Sequence, residues 1–277
     1  MPELPEVETV RRGINALAAG RTITHVDVLY PKMIIGDVEE FKRQLAGKKL
    51  TTVDRRGKYL LLRFSGNKTV VSHLRMEGKY YVKAEGTPVE KHTHVLFHMD
   101  DGQQLRYNDS RKFGRMQLIT TGEETTLPGI KKLGMEPFPA TFAVDQFISR
   151  MKKKKKMVKP ALLDQTIVTG LGNIYVDECL WLSKIHPETQ CAVLTDDELR
   201  VLHDNIITEI DHAIDAGGTT IRSYTDAFQH EGGFQLKLHV YGRQGTPCDR
   251  CETPIEKIKV GQRGTHFCPH CQVKRVD

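Results

Sequence analysis

Four cysteines near the end of the sequence constrain the fold more than any other feature. Cys248, Cys251, Cys268 and Cys271 form two C-x-x-C pairs, with 16 residues between the second cysteine and the third. Thiolates two residues apart can turn toward one ion, and two such pairs complete a tetrahedron around Zn²⁺. The stretch between the pairs, TPIEKIKVGQRGTHF, has the pattern of a strand, a tight turn and a second strand. The sequence therefore predicts a zinc ribbon that holds one structural Zn²⁺; a chance pairing of cysteines is the alternative.

The bulk composition leaves several classes of protein open. The 277 residues contain 41 Lys and Arg against 35 Asp and Glu, a formal net charge of +6. This excess permits a polyanionic partner without requiring one. We find no run of 18 apolar residues and no secretion signal, so we expect a cytoplasmic protein without membrane association. The two remaining cysteines, Cys179 and Cys191, are expected to be buried structural thiols.

Short β-rich runs follow one another between residues 58 and 121. Turn signals such as Ser65-Gly66-Asn67 and Asp101-Gly102 separate the runs YLLLRF, TVVSHL, KYYVKA, HVLFHM, QQLRYN and RMQLIT. Short connections favour antiparallel neighbours, so we predict an antiparallel sandwich or barrel.

Helical patterns replace the strands beyond a Gly- and Pro-bearing stretch at 133–137, which we interpret as a linker. Thr195 and Glu198 form a predicted capping box for a helix that stops at Gly217-Gly218. The Gly-rich residues 217–237 that follow are predicted to form a functional loop.

The N-terminal segment MPELPEVETV places Pro2, Glu3 and Pro5 at the start of a helical pattern that runs to about Gly20. Proline suits the first positions of a helix, and carboxylates suit the positive end of its dipole. Taken alone, these residues indicate only a helix start.

Two further motifs are suited to binding an anion. In LLDQTIVTGLGNIYVDECL, two glycines separate two helical patterns, and Asn173 is the predicted N-cap of the second helix. A helix N-terminus with free N–H groups is a ready anion site. Arg263 falls at the predicted tip of the ribbon hairpin, from which a guanidinium could grip a phosphate.

Together these pieces resemble the bacterial formamidopyrimidine-DNA glycosylases, which are 8-oxoguanine DNA glycosylase/AP lyases. The blocks that carry the resemblance are PELPEVETVRRG at the start, RRGKYLLL at 55–62, DSRKFG at 109–114, LLDQTIVTGLGNIYVDE at 162–178 and GQRGTHFCPHCQ at 261–272. They occur in the family's order along nearly the whole chain. Where the family often has Pro and Arg, this sequence has Ser110 and Lys112.

The resemblance implies an α+β fold in four parts. These are an N-terminal antiparallel β-sandwich domain flanked by helices (1–132), a linker (133–141), a helix–two-turn–helix domain (142–238) that carries the lesion-recognition loop 217–237, and a zinc-ribbon finger (239–277). The implied activity is base-excision repair of oxidised purines in duplex DNA, with a Schiff base on the N-terminal proline followed by β,δ-elimination.

The resemblance also implies roles for individual residues. Its catalytic set comprises the nucleophile Pro2, freed by removal of Met1, with the acid/base Glu3, the proton donor Lys58 and the phosphate-gripping Arg263. Glu6 is expected to support this set from one turn away. Its DNA contacts are expected at His73, Met76, His92, Arg111, Phe113, Lys154 and Asn173. Five consecutive lysines at 152–156 make the register of Lys154 ambiguous.

Two rival functions remain open from the sequence. An endonuclease VIII-like glycosylase for oxidised pyrimidines would share the fold and the nucleophile. A non-enzymatic zinc-ribbon DNA-binding factor would explain the cysteines and the charge but would give Pro2 and Glu3 no task. The expected partner is damaged double-stranded DNA, bound by a monomer that needs no organic cofactor and is associated with the bacterial nucleoid.

Overall fold

A computed structural model describes residues 1–219 and 233–275. It divides into two compact units, residues 1–131 with 216–235 (unit 1) and residues 132–215 with 236–277 (unit 2). Each unit is described by itself. Residues 220–232 of the predicted lesion-recognition loop lie outside the described residues, and the four-part division given above stays a prediction.

Over its described residues, unit 1 contains two β-sheets and three α-helices. The strands are β1 (Ile23–Val28), β2 (Ile34–Ile35), β3 (Leu50–Arg56), β4 (Tyr59–Phe64), β5 (Lys68–His73), β6 (Lys79–Ala84), β7 (Thr93–Met99), β8 (Gln103–Asn108) and β9 (Arg115–Thr120). The helices are α1 (Leu4–Ala18), α2 (Val38–Leu45) and α3 (Pro128–Lys131). One sheet has the order β1-β7-β8-β6 and the other β2-β9-β5-β4-β3.

The six strands predicted between residues 58 and 121 are confirmed as β4 to β9, with bounds that agree to within one residue. The expected antiparallel pairing is confirmed for these strands. The short strand β2, which the sequence analysis did not predict, runs parallel to β9 over two residues. A parallel pair needs a long connection. Because some 80 residues separate β2 from β9, no local turn signal in the sequence predicts their pairing.

Helix α1 confirms the predicted N-terminal helix. Glu3 is its N-cap, and the carboxylate of Glu6 accepts a hydrogen bond from the Glu3 backbone at 2.8 Å, which completes a capping box. Val7, Val10 and Ile14, at helical spacing, are buried in the core of unit 1.

Side chains of α1 fix its direction along β3. Asn15 and Arg11 both donate to the backbone carbonyl of Val53, at 2.7 and 3.2 Å, and nearer the N-terminus Glu8 pairs with Arg55 at 3.1 Å. The helix therefore runs opposite to the strand. Its N-terminus points toward the end of the sheet where β3 turns into β4.

The described part of unit 2 contains four α-helices and the ribbon hairpin. They are α4 (Val144–Lys152), α5 (Val158–Leu163), α6 (Asn173–Leu182), α7 (Asp196–Asp215), β10 (Glu256–Val260) and β11 (Arg263–Phe267). The predicted capping box of α7 is confirmed, since Glu198 N–H donates to Thr195 Oγ1 at 3.2 Å and Thr195 N–H to Glu198 Oε2 at 2.8 Å. Across the part of the chain that the structure covers, no helix is both long enough and apolar enough to cross a bilayer.

Two glutamates are buried in unit 2. Glu178 on α6 accepts backbone hydrogen bonds from His239, Val240 and Tyr241 at 2.7 to 3.0 Å. Glu209 on α7 is 6% exposed, and its Oε1 has no hydrogen-bond partner. Burial, assisted by the neighbouring Glu178 carboxylate, raises the pKa of Glu209 to about 8.

This raised pKa predicts a pH-dependent stability. The native state favours protonated Glu209, so its stabilising contribution is complete below the unfolded pKa near 4.5 and is lost as pH rises through about 8. Within that window each pH unit costs up to about 1.4 kcal/mol. We expect Glu209→Gln to remove this loss. Urea unfolding at pH 5, 7 and 9 checks it, with the exposed Glu256→Gln as control; parallel stability curves for wild type and Glu209→Gln would contradict the prediction.

Candidate functional site

The N-terminus of α1 is a buried carboxylate cluster. Pro2 is buried, and Glu3 and Glu6 are 3% and 2% exposed. Glu6 Oε2 accepts from Glu3 N–H at 2.8 Å, while Glu6 Oε1 accepts from the backbone N–H and the hydroxyl of Thr219 at 2.8 and 3.1 Å. The Glu6 carboxylate thus links the backbone of the candidate acid/base residue, Glu3, to Thr219 near the start of the Gly-rich stretch.

The two ends of that Gly-rich stretch meet in unit 1. Gly233 N–H donates to Ala216 O at 3.0 Å, and Phe234 N–H donates to Gly218 O at 3.1 Å. Gly218 has φ +75°, and a Cβ there would lie 2.8 Å from Glu6 Oε1, so only glycine fits. The described base of the predicted loop is therefore seated on the N-terminal cluster.

Strand register brings Lys58 and His73 to the same end of the larger sheet. Lys58 lies in the turn before β4 and is 7% exposed, and Tyr59, the next residue, pairs with His73 at the end of β5. His73 Nδ1 accepts from Arg75 N–H at 3.0 Å. Burial, with the charges of Arg75 and Lys58, lowers the pKa of His73 to about 3, so this imidazole is neutral at physiological pH.

The loops with the predicted DNA contacts leave the sandwich at this end as well. Met76 follows β5, and Arg111 and Phe113 lie between β8 and β9, whose first residue pairs with His73. Met76 is 36% and Phe113 49% exposed, and the Arg111 guanidinium lies 4.8 Å from the Phe113 ring centroid. Exposed apolar side chains beside a cation suit insertion into a stack of bases.

The loop after β5, the loop between β8 and β9, and the loop that carries His92 between β6 and β7 each contain a residue in the left-handed region. The φ angles are +56° at Arg75, +71° at His92 and +58° at Lys112. Such angles are uncommon for residues other than glycine, and they cluster at functional sites.

Asp109 holds two of these loops in shape. It is fully buried, and its carboxylate accepts from Arg111 N–H at 3.0 Å and from Gly114 N–H at 2.8 Å. Its own N–H donates to His92 O at 3.0 Å. At Gly114 a Cβ would lie 1.7 Å from the hydroxyl oxygen of Tyr107, so the loop closes onto that buried ring.

In unit 2, the ribbon hairpin presents Arg263. Gly261 and Gln262, with φ of +52° and +66°, form a two-residue turn between β10 and β11. Arg263 is the first residue of β11 and is exposed. The predicted strand–turn–strand pattern and the place of Arg263 at its tip are confirmed.

A buried ion pair holds this hairpin against α5 and α6. Lys159 Nζ donates to Asp177 Oδ1 at 2.6 Å and to Gly264 O at 3.2 Å, and both charged side chains are 0% exposed. Asp177 Oδ2 accepts from His266 N–H at 2.9 Å. Gly264 and His266, which follow Arg263 on β11, are thereby fixed by charge-assisted hydrogen bonds.

The predicted role of Asn173 as N-cap is wrong. Gly172 is the N-cap of α6, and Asn173 is its first helical residue. The Asn173 side-chain amide instead donates to Gly264 O at 2.9 Å, so it joins Lys159 in fixing the hairpin. A contact 91 residues away in sequence outcompetes the local cap.

The four ribbon cysteines form the cluster that their spacing predicts. Their Sγ atoms lie 3.4 Å apart for Cys251–Cys268 and Cys251–Cys271, and 4.0 Å apart for Cys248–Cys271. Zn–S bonds of about 2.3 Å in a tetrahedron require about 3.8 Å between sulfurs. The set fits one Zn²⁺ with no open position, which makes the metal structural.

Trp181 of α6 supports this cluster from outside. Its indole N–H donates to Cys248 Sγ at 3.4 Å. His239 stacks on its ring at 4.3 Å, and the Arg250 guanidinium lies 3.7 Å from the ring centroid. Hydrogen bonds to a ligating sulfur orient it and tune its charge.

The lysine tract is partly neutralised within unit 2. Lys154 lies 3.4 Å from Asp164 Oδ2 and 3.3 Å from Thr166 Oγ1, and Lys156 lies 2.5 Å from the same carboxylate. Burial alone would raise the pKa of Asp164, but these partners lower it to about 2. The predicted DNA contact of Lys154 stays a prediction.

The sequence did not reveal the buried residues that keep the exposed site residues in position. Asp109, Lys159 and Asp177 lie inside the quoted blocks or beside them, yet a polar residue in a loop or a helix gives no sign of burial. One signal was present for Asp109, because an aspartate five residues before a loop glycine can accept the backbone N–H groups between them. Cys179 and Cys191 are buried, as predicted.

The buried carboxylate cluster at the start of α1 in one unit, and the helices α5 and α6 with a four-thiolate ribbon in the other, suit a DNA glycosylase of the class that also cleaves abasic sites. Family models match the chain along most of its length. Residues 1–116 match the formamidopyrimidine-DNA glycosylase N-terminal domain, 133–225 the H2TH domain of the same enzymes, and 245–273 the zinc finger found in FPG and IleRS.

Individual relatives agree with these models. The formamidopyrimidine-DNA glycosylases of Ligilactobacillus salivarius and Latilactobacillus sakei are 61% and 60% identical, over 99% of this chain and of each relative. A Lactococcus lactis Fpg variant in complex with Fapy-dG-containing DNA is 45% identical with a TM-score of 0.94, over 99% of this chain and 100% of that one. The chain belongs to the formamidopyrimidine-DNA glycosylase family, and it is a DNA N-glycosylase with AP lyase activity.

Family membership confirms the resemblance, the α+β fold class and the zinc finger. It also decides between the rival functions. A non-enzymatic zinc-ribbon factor is excluded, and the endonuclease VIII-like alternative gives way to the formamidopyrimidine enzymes.

We predict that loss of zinc unfolds the ribbon and leaves the sheets of unit 1 intact. The ribbon has a small core, built around Trp181, Cys248 and Cys268, so metal binding supplies much of its folding free energy. Cys248→Ser should lower affinity for lesion DNA while the β-sheet circular dichroism persists. Cys191→Ala, at a buried cysteine outside the cluster, is the control. Normal DNA affinity in a zinc-free protein would contradict the prediction.

We predict that the buried ion pair positions Arg263. Lys159→Met alone should destabilise unit 2 by about 3–5 kcal/mol, because the Asp177 charge is left unpaired. The double variant Lys159→Met/Asp177→Leu should regain most of that stability, since packed apolar groups can replace a buried pair. The double variant should nevertheless bind DNA as weakly as Arg263→Ala does. In both variants the slope of log K against log salt concentration should fall in magnitude by about 0.9, the value for one lost phosphate contact.

Denaturant unfolding and DNA titrations at several salt concentrations separate the two effects. If the double variant has the stability of the wild type and also its salt dependence of DNA binding, the Lys159–Asp177 pair serves packing alone. An unchanged salt dependence in Arg263→Ala would show instead that Arg263 does not contact phosphate.

Proposed function

We propose that this enzyme excises oxidised purines, 8-oxoguanine and formamidopyrimidines, from duplex DNA through the amine of Pro2 and then cleaves the strand by β,δ-elimination. The observation that carries the proposal is the convergence, at one end of the unit 1 sandwich, of the start of α1, the Lys58 turn and the loops with Met76, Arg111 and Phe113. A nucleophile and base-replacing side chains are both needed where a nucleotide is extruded.

The chemistry requires a free proline amine. While Met1 is attached, Pro2 nitrogen is a tertiary amide whose lone pair is delocalised into the carbonyl. After removal of Met1 it is a secondary amine, whose unprotonated form carries a nucleophilic lone pair. Attack on the sugar C1′ breaks the glycosidic bond, and the base leaves with the bonding electrons.

The C1′–O4′ bond of this adduct then opens, O4′ takes up a proton, and the proline nitrogen lone pair forms an iminium. This iminium is an electron sink that makes the C2′ proton acidic. Removal of that proton expels the 3′ phosphate, and a second elimination expels the 5′ phosphate. Glu3, adjacent to the nucleophile and buried, is placed to move protons at the sugar oxygen and at C2′. Lys58 is the proposed proton donor in elimination, and the hydrogen bonds of Glu6 hold the Glu3 backbone in place.

The exposed side chains divide into two groups by chemistry. Met76, Arg111 and Phe113 replace the extruded nucleotide in the stack, with Arg111 facing the unpaired cytosine. The proposed contacts to the DNA backbone are Lys58, His73, His92, Lys154, Asn173 and Arg263. Neutral His73 can donate a hydrogen bond to phosphate but adds no charge.

The partner of the enzyme is damaged DNA, and we propose that it acts on duplex DNA as a monomer without an organic cofactor. Its net charge of +6 favours association with a polyanion. Repair of chromosomal DNA places it in the bacterial cytoplasm, at the nucleoid. We further propose the four-part domain division, with residues 217–237 acting as the lesion-recognition loop.

The nucleophile is tested by borohydride trapping on 8-oxoguanine DNA, paired with intact-mass spectrometry. Processed protein should cross-link through its N-terminal peptide, and an uncleavable N-terminal extension should abolish both the glycosylase and the lyase step. Pro2→Gly, which retains a primary amine, should keep partial trapping. Pro5→Ala, one turn further along the same helix, should trap normally. Cross-linking by protein that carries Met1 in full would overturn the assignment of Pro2.

Arg111 is tested by opposite-base preference. A guanidinium matches the acceptor edge of cytosine better than that of adenine, and an unmatched partner costs about 1–3 kcal/mol. Arg111→Ala should therefore lose discrimination between 8-oxoguanine·cytosine and 8-oxoguanine·adenine pairs as well as rate, whereas the exposed Lys91→Ala should keep both. Single-turnover excision rates on the two duplexes measure this, and an unaltered preference in Arg111→Ala would rule out the role.

A further inference from the structure

Three side chains on the outer face of one sheet of unit 1 bring metal-binding atoms close together. His25 and Asp27 lie on β1 and His98 lies on β7, and their donor atoms are all within 4.8 Å of each other. The excision chemistry uses none of them. We propose that these residues form a second metal site, which takes an exchangeable divalent first-row transition ion such as Zn²⁺.

A β-bulge brings His25 onto the face that carries the other two residues. The pairing of β1 with β7 shifts between Ile23 and His25, and beyond the shift His25 lies opposite His98. Ile23 and Val26 are buried, whereas Thr24 and His25 are both exposed. Without the extra residue, strict alternation would turn His25 into the core.

His98 is the fixed ligand of the set. Its side chain is 10% exposed, and its Nε2 lies 3.0 Å from Asp27 Oδ2. Its other nitrogen, Nδ1, lies 3.3 Å from Glu85 Oε1 and 3.1 Å from Gln104 Nε2. A carboxylate behind the second nitrogen is the usual partner of a metal-bound imidazole, because it orients the ring and raises its basicity. A separation of 3.0 Å suits two adjacent ligands that are each about 2.1 Å from one ion.

His25 supplies the third ligand. Its Nδ1 lies 3.1 Å from Thr24 Oγ1, which leaves Nε2 to bind the ion. The ring stacks on His98 with a centroid distance of 3.8 Å. Because His25 is exposed, its side chain can rotate out of that stack and direct the Nε2 lone pair at an ion held by His98 and Asp27.

The donor set defines the class of metal. Two imidazoles and one carboxylate suit Zn²⁺, Ni²⁺ or Cu²⁺, whereas Mg²⁺ and Ca²⁺ prefer oxygen ligands alone. Three protein ligands leave positions for water, so this ion exchanges more readily than one enclosed by four thiolates. Since β1 is an edge strand, the ion would cross-link that edge to its neighbour β7.

Calorimetric titration of the full-length, zinc-loaded enzyme with zinc sulfate tests the proposal. The wild type should take up one equivalent beyond the ribbon's own zinc. His25→Ala and Asp27→Asn replace exposed side chains and should fold normally, yet each should weaken this uptake by more than about tenfold, since even an outer-shell partner contributes that much. His212→Ala, at an exposed histidine of α7, is the matched control and should behave as the wild type.

Cobalt absorption distinguishes this site from exchange at the ribbon. Co²⁺ added to the zinc-loaded enzyme should give weak d–d bands without a thiolate charge-transfer band, and His25→Ala should abolish them. Three results would each overturn the proposal: no zinc uptake by the zinc-loaded wild type, equal uptake by His25→Ala and His212→Ala, or a thiolate band accompanying the added cobalt. None of these readings depends on whether Pro2 is the nucleophile.

Discussion

The backbone pairing of β4, β5 and β9 determines where the candidate site of unit 1 lies. Because Tyr59 pairs with His73 and His73 with Arg115, the Lys58 turn and the loops after β5 and before β9 must leave the sheet at one end. The hydrogen bonds of α1 to Val53 and Arg55 point the helix N-terminus to that same end. A shift of one residue in any of these pairings would turn the side chains of a whole strand to the other face. The position of the candidate site in this unit thus depends on hydrogen bonds between backbone groups and supporting side chains.

A division of labour between exposed and buried side chains recurs in both units. Met76, Arg111, Phe113 and Arg263 are exposed and carry the proposed contacts to DNA. Asp109 and Asp177 are fully shielded, and each accepts backbone hydrogen bonds from the segment that presents an exposed arginine. A carboxylate in such surroundings must have its partners in place, since an unpaired buried charge is costly. The segments it holds are therefore kept in one conformation before DNA arrives, and less ordering remains to oppose binding.

Local patterns predicted much of the fold, and the failures have common physical causes. The strands β4 to β9, α1, the capping box of α7 and the ribbon were readable because alternation, caps and cysteine spacing act over a few residues. The strands β1 and β3 and the helix α2 were not anticipated, and the parallel pairing of β2 was missed because it is set by distant neighbours. Asn173 illustrates the competition directly, because its amide reaches Gly264 across the chain instead of capping its own helix. At the site, residue types near the chemistry were identified through the resemblance, whereas Glu6's link to Thr219 and the Lys159–Asp177 pair required three-dimensional proximity.

The surroundings of Trp181 have an optical consequence. It is the single tryptophan of the chain, and its indole touches Cys248 Sγ, His239 and Arg250. Sulfur, imidazole and guanidinium groups in van der Waals contact with an indole alter its excited state. The intrinsic fluorescence of this enzyme at tryptophan wavelengths is therefore a native, label-free reporter of one place, the junction of α6 with the ribbon. Stopped-flow traces recorded at those wavelengths follow events at that junction, without a signal from the sheets of unit 1.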